Sequence, residues 1–205
     1  NPDGNKIAYL FQNDTTKELA IANTDGTNFE TLVQFKTIDF EPDVAWSPDG
    51  RKLAIFANME TGMQSNAKEV NIYIYDFETR NVSKITEDGV SAGALFSPDS
   101  KKLIYQSGKG IWLYDLESKD NKTAALDLKL QGDLATSSWV DNNGFLALSS
   151  EDGSLQKVKA SGIKESINYQ KDSLPAGIKS VIYGNQKVYL INNDGIYQLL
   201  LNSGI

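Results

Sequence analysis

Cysteine and histidine are both absent from this sequence. Without cysteine the chain has no disulfide, thiolate metal site or cysteine nucleophile, and without histidine it has no Ser-His-Asp arrangement. Positive charge is also scarce, with 20 lysines and arginines against 27 aspartates and glutamates and a formal net charge of −7. Because a nucleic-acid backbone requires a basic protein surface, we expect no nucleic-acid partner.

Long apolar runs are missing as well. No run approaches the roughly 20 residues that a membrane-spanning helix needs, so we expect a chain that does not span a membrane. The sequence begins at Asn1 with neither an initiator methionine nor a signal-peptide pattern, and this start falls inside a turn motif, Asn-Pro-Asp-Gly. We therefore expect native sequence upstream of this residue.

What the sequence does contain is a repeated turn. Ser-Pro-Asp-Gly at residues 47–50 lies between two short apolar runs, and Ser-Pro-Asp-Ser occurs at residues 97–100. Proline presets φ at the first central position, aspartate bonds the local backbone, and glycine accepts the left-handed conformation. This chemistry predicts a tight β-hairpin, structural roles for Asp49 and Asp99, and a positive φ at Ser100 that costs roughly 1 kcal/mol.

The turn and its following strand recur along the chain. Fainter copies at residues 139–147 and 182–190 keep the polar turn and the apolar return. Successive differences between the residue numbers of the aligned strand positions are 46, 50, 43 and 42; these positions are Ile7, Leu53, Leu103, Leu146 and Val188. A repeat of this length that carries four strands is the size of a propeller blade.

We therefore predict an all-β fold, a β-propeller of four-stranded antiparallel blades that forms one domain over residues 1–205. The predicted blades cover residues 1–35, 41–86, 89–128, 130–170 and 177–205. The first and fifth blades are each one strand short, and an upstream segment of roughly 20 residues would supply both strands and close the ring. We favour five blades, with six to eight as the alternative.

A second periodic pattern strengthens this interpretation. Tyr-Asp, then an apolar residue, glutamate and serine or threonine, occurs at residues 75–79 and 114–118. Together with the Ser-Pro-Asp-Gly turn, this pattern resembles the repeats of the TolB-type β-propellers, well over the first three blades and loosely over the last two. The resemblance implies a periplasmic or extracellular propeller that binds other proteins. The α/β domain that precedes the propeller in TolB itself is not found in this sequence.

Aromatic residues stand at equivalent places near the ends of the first strands of three blades. They are Trp46, Phe96 and Trp139. A circle of aromatic side chains around the channel is the alternative. However, a packing role also places the same type of residue at the same position of each repeat, and aromatic side chains dominate core burial. We predict that these three side chains pack between blades.

Candidate binding residues lie at one rim of the predicted propeller, where the links into the first strands meet the loops between second and third strands. The loop at residues 59–68 is longer than its counterparts, and function is often carried by such loops. A tolerated surface insertion and ordinary solvated carboxylates are the alternatives. The predicted partner-binding residues are Asp39, Glu41, Asp43, Met59, Glu60, Met63, Gln64, Asp88 and Asp133.

We predict a non-enzymatic scaffold that binds a protein partner in the cell envelope or outside the cell, with no cofactor, no metal and no catalytic residue. A small molecule or a glycan is an alternative ligand. The alternative function is enzymatic. It is either a carbohydrate-active propeller, whose rim carboxylates would stand about 5 to 9 Å apart, or the accessory propeller of a larger peptidase, in which similar repeats occur.

Overall fold

The computed structural model describes most of the chain and divides it into two compact units, residues 1–92 and residues 93–205. The described residues are 1–12, 17–35, 43–57, 70–87, 91–107, 110–125, 130, 134, 137–169 and 174–201. In these stretches no helix combines the length and the apolar character that a membrane crossing requires.

The described residues form five antiparallel sheets, which confirms the all-β prediction. The first sheet consists of β1 (Lys6–Gln12), β2 (Lys17–Asn23) and β3 (Glu30–Phe35). The second consists of β4 (Asp43–Trp46), β5 (Lys52–Ala57), β6 (Asn71–Asp76) and β7 (Asn81–Lys84). Both belong to the first unit, whose boundary falls inside the first strand of the third sheet.

The remaining three sheets follow in chain order. The third consists of β8 (Ser91–Phe96), β9 (Lys102–Ser107), β10 (Gly110–Asp115) and β11 (Asn121–Ala125). The fourth consists of β12 (Ser137–Asp141), β13 (Gly144–Leu148), β14 (Leu155–Lys159) and β15 (Lys164–Ser166). The fifth consists of β16 (Ser180–Gly184), β17 (Lys187–Ile191) and β18 (Ile196–Leu199). Every sheet pairs strands that are neighbours in sequence, so short turns suffice to connect them.

The β4–β5 hairpin shows how the Ser-Pro-Asp-Gly motif folds. Ser47 is fully buried, and its hydroxyl donates to Asp49 Oδ1 at 2.6 Å and accepts from the Lys52 N–H at 2.9 Å. Gly50 has a φ of 69°, and its N–H donates to the Ser47 carbonyl at 2.9 Å. The side chains of the motif therefore supply the hydrogen bonds that the tight turn cannot make within its own backbone.

The β8–β9 hairpin repeats this geometry. The Ser97 hydroxyl donates to Asp99 Oδ1 at 2.6 Å and accepts from the Lys102 N–H at 2.9 Å. Ser100 replaces the glycine and has a φ of 61°, as the sequence predicts. The structural roles predicted for Asp49 and Asp99 are thus confirmed.

The Tyr-Asp pattern forms the turn after the third strand of its sheet. Asp76 Oδ1 accepts from the Glu78 and Thr79 N–H groups, each at 3.0 Å. In the second sheet the Lys52 ammonium pairs with Asp76 Oδ2 at 2.8 Å, so the proline turn and the Tyr-Asp turn are linked. The third sheet has the same turn, in which Asp115 accepts from two backbone N–H groups at 3.0 and 2.9 Å.

The core of the first unit lies between its two sheets. Leu19 of β2 and Leu53 and Ile55 of β5 are fully buried there. The Trp46 ring packs against this cluster and stacks on Phe77 with a centroid separation of 5.1 Å and an interplanar angle of 4°. The packing role predicted for Trp46 is confirmed.

The described residues of the second unit include two apolar clusters, one on each side of the fourth sheet. Phe145 and Leu146 are adjacent in β13 and fully buried, and each faces a different cluster. Trp139 packs with Phe145 in the cluster towards the third sheet, and its indole N–H donates to the Leu95 carbonyl at 3.1 Å. The fourth sheet is therefore buried on both faces, and the packing role predicted for Trp139 is confirmed.

The fifth sheet buries apolar side chains on one face. Val181, Val188 and Leu190 pack against the fourth sheet. Side chains alternate along a strand, so the opposite face carries Ile182 and Ile196, which are 46% and 71% exposed. Phe96, the third aromatic residue with a predicted packing role, is buried in the third sheet.

Candidate functional site

The rim residues that the sequence predicts as partner-binding fall outside the part of the chain that the structure describes. These are Asp39, Glu41, Met59, Glu60, Met63, Gln64, Asp88 and Asp133. Asp43 is the first residue of β4 and pairs with Phe56 of β5, but its side chain also lies outside the description. Partner binding at these nine positions stays a prediction.

The described carboxylates of the repeat motifs are held by turn hydrogen bonds. Burial alone would raise the pKa of Asp49, but hydrogen bonds from Ser47 and Arg51 and neighbouring positive charge lower it below its ordinary value. The hydrogen bond from the Lys52 ammonium is the main reason that the pKa of Asp76 is also lowered. Both side chains are therefore ionised at neutral pH.

This behaviour extends to every described aspartate whose pKa is shifted. In each case hydrogen bonds to the carboxylate lower the pKa, and the six residues are Asp25, Asp49, Asp76, Asp99, Asp115 and Asp152. A catalytic general acid requires the opposite shift, towards the working pH. Within the described ranges there is also no group of three metal-ligating side chains arranged to hold an ion. These six carboxylates support turns.

The described region contains a cleft of about 300 Å³ at one end of the fourth sheet. It lies where the β12–β13 hairpin approaches the turn after β14. Six of its lining residues are Asp141, Asn143, Gly144, Lys157, Lys159 and Ser161. Two lysines thus share one cleft in a protein that is acidic overall.

Strand register brings the two lysines together. Lys157 and Lys159 are two residues apart in β14, so their side chains leave the same face of the sheet. Gly144 lies opposite Lys159 in β13, and a Cβ atom at Gly144 would stand 3.2 Å from Lys157 Cε. The missing side chain at Gly144 therefore leaves the space that the Lys157 stem occupies.

Negative groups lie in the cleft and beside it. The Lys159 ammonium pairs with Glu165 Oε1 at 2.5 Å, and Asp141 Oδ1 accepts from the Asn143 N–H at 2.6 Å. Sequence reasoning missed this cleft. The signal that was available is the Lys-x-Lys alternation at residues 157–159, in the strand that follows Gly144.

Comparison with known proteins decides the family. Residues 1–175 match the TolB beta propeller domain. The chain belongs to this family. The predicted β-propeller fold is thereby confirmed, and the five antiparallel sheets match solved propeller structures.

Relatives within and beyond the TolB family cover the chain to different extents. The Tol-Pal system protein TolB of Anaeromyxobacter dehalogenans is 27% identical over 105 residues, which are 51% of this chain and 22% of that protein. The structure of TolB from Acinetobacter baumannii superposes with a TM-score of 0.62 and 20% identity, covering 98% of this chain and 51% of that chain. The β-propeller domain of the Trilobed protease from Pyrococcus furiosus superposes with a TM-score of 0.64 and 18% identity, covering 98% of this chain and 65% of that chain. This chain thus spans about half of the TolB structure and less of the curated relative.

Proposed function

We propose that this chain is a non-enzymatic binding module, a TolB-like propeller that mediates protein–protein interaction in the cell envelope or outside the cell. The observation that carries the proposal is the match of residues 1–175 to the TolB beta propeller domain. The described aspartates agree with it, because the hydrogen bonds that they accept in turns lower their pKa values. The curated relatives add support, because they are named as proteins of the Tol-Pal system. The repeats supply a rigid scaffold, and the loops between strands supply the binding surface.

The enzymatic alternatives have less support. A glycosidase needs a carboxylic acid with a raised pKa beside a second carboxylate, and the shifted aspartates of the described region all move the other way. The likeness to the Trilobed protease propeller, at 18% identity, is a likeness of fold and carries no activity.

The binding role is tested through the long loop at residues 59–68. The original protein is used to capture its partner from envelope and extracellular fractions of the native source, and the complex is then reconstituted with the purified partner. Deletion of these residues should abolish both capture and reconstitution. The matched control keeps the length of the loop and scrambles its sequence. This scrambled variant should also lose binding, because the proposal assigns the contacts to Met59, Glu60, Met63 and Gln64. Undiminished binding by a folded deletion variant would remove the loop from the proposal.

The enzymatic alternative is tested through the rim carboxylates. The triple variant Asp39→Asn, Glu41→Gln and Asp43→Asn removes the charges and preserves the side-chain size. We expect neither the original protein nor this variant to release reducing ends from a panel of oligosaccharides that includes oligogalacturonides. Cleavage by the original protein that disappears in the triple variant would overturn the binding-module proposal.

A further inference from the structure

The lysine cleft lies at one end of the fourth sheet and is lined by Asp141, Asn143, Gly144, Lys157, Lys159 and Ser161, so one carboxylate and two ammonium groups line the same space. We propose that the lysine cleft binds a carboxylate group of an acidic peptide segment, with the Lys157 ammonium as its main contact. This proposal goes beyond the protein-binding role and does not depend on the loop at residues 59–68.

The first argument is the unequal pairing of the two lysines. Glu165 is the cross-strand neighbour of Lys157 in the β14–β15 register, but its carboxylate pairs with Lys159. Within the described residues Lys157 forms no ion pair, although its side chain is half-buried in the cleft. Because no other charge of the described residues pairs with this ammonium, it is available to an incoming carboxylate, and the pair is stronger where the cleft excludes water.

The second argument is the space. Gly144 leaves room for the Lys157 stem to cross β13, since a Cβ there would lie 3.2 Å from Lys157 Cε and 3.4 Å from the Val158 carbonyl oxygen. The remaining volume, about 300 Å³, is at the lower end of the range of ligand pockets. It accommodates one or two peptide side chains rather than a large cofactor.

The third argument distinguishes a peptide from an inorganic anion. The cleft combines donors, the Lys157 ammonium and the hydroxyl of Ser161, with an acceptor, the Asp141 carboxylate. Asp141 uses Oδ1 for the Asn143 N–H, and its second oxygen offers an acceptor to a ligand N–H. A peptide presents a carboxylate to Lys157 and backbone N–H groups to Asp141, whereas a phosphate dianion has no N–H group and carries twice the negative charge against Asp141.

The test is a titration of the isotope-labelled full chain with an acidic peptide, acetyl-Glu-Asp-Glu-Asp-amide, followed by amide NMR shifts. The matched peptide acetyl-Gln-Asn-Gln-Asn-amide has nearly the same shape and no carboxylate. We expect shifts of the Asn143, Gly144 and Ser161 amides with the acidic peptide, weakened by added salt, and none with the neutral peptide. Equal binding of the two peptides would overturn the proposal, as would tighter binding of inorganic phosphate.

Two variants assign the contact to Lys157. Lys157→Met should weaken binding of the acidic peptide by roughly tenfold or more, the loss expected for one charge-assisted hydrogen bond. The control Lys187→Met removes an exposed lysine from the fifth sheet and should leave binding unchanged. Gly144→Ala displaces the flexible end of the Lys157 side chain without removing its charge, and should also weaken binding. Unchanged affinity in folded Lys157→Met, or in Gly144→Ala if the first variant does not fold, would refute the assignment.

Discussion

Ser47→Ala should show that one hydroxyl holds the Ser-Pro-Asp-Gly hairpin together. The side chain is fully buried, donates to Asp49 at 2.6 Å and accepts from the Lys52 N–H at 2.9 Å. Alanine removes both bonds, together with a longer one from the hydroxyl to the Lys52 carbonyl at 3.2 Å, and leaves the Lys52 N–H without this acceptor. Each net hydrogen bond contributes about 1 kcal/mol, and leaving a partly buried donor without its acceptor adds to the loss. We expect the free energy of unfolding to fall by about 2 kcal/mol.

The measurement is urea denaturation at neutral pH, followed by tryptophan fluorescence. Ser83→Ala, at an exposed position of β7 in the same sheet, is the matched control and should change stability by less than about 0.5 kcal/mol. A double-mutant cycle with Asp49→Ala isolates the coupling between the two side chains, which should reach about 1 kcal/mol. Additive effects of the two substitutions, or a loss no larger than that of Ser83→Ala, would refute the reasoning.

The same hydrogen bond gives the effect a pH dependence. The pKa of Asp49 is lower in the folded chain than in the unfolded chain, where it is about 3.9. The stabilisation from this carboxylate is therefore complete above the unfolded pKa and is lost as the pH falls through the folded pKa. The destabilisation caused by Ser47→Ala should accordingly shrink between neutral pH and about pH 3. An effect of constant size over this range would contradict the role of the ionised carboxylate.

Three further substitutions test other parts of the scaffold. Phe145→Ala should cost about 4 kcal/mol in unfolding free energy, because its fully buried ring leaves a cavity in the fourth sheet; thermal unfolding measures this loss. Gly50→Ala should cost about 1 kcal/mol by urea denaturation, because φ is 69° there, whereas Gly184→Ala, where a Cβ meets nothing within 4 Å, should be nearly neutral. Asp76→Asn removes the charge that pairs with Lys52 and should lower the free energy of unfolding. The difference from the original protein should be largest at neutral pH and become smaller as the pH falls below about 3.9, because Asp76 is then protonated in the original protein as well.

The hairpins and sheets of this chain were predictable because their causes are local. Proline, aspartate and glycine within four residues determine the turn, and the apolar runs on either side determine the strands. The structure even retains the left-handed backbone at Ser100 where the repeat substitutes serine for glycine. Because the same turn and strands recur along the chain, the local pattern also predicts the repeated sheets of a propeller.

The lysine cleft was not predictable in the same way, because it depends on register between strands. The β14–β15 register places Glu165 opposite Lys157, but its carboxylate pairs with Lys159, one step along the same face. The room for Lys157 depends on a glycine thirteen positions earlier in the sequence, placed beside it by the β13–β14 pairing. Hydrophobic periodicity identifies strands but does not specify such cross-strand neighbours.

The hydrogen bond between the Trp139 indole and the Leu95 carbonyl makes this tryptophan a natural optical probe. It joins the fourth sheet to the backbone of the third, and the ring is only 8% exposed. Since the chain has three tryptophans, replacing Trp46 and Trp112 by phenylalanine would leave a single emitter at that junction. A red shift of its fluorescence would then report separation of these two sheets in real time, without an attached dye.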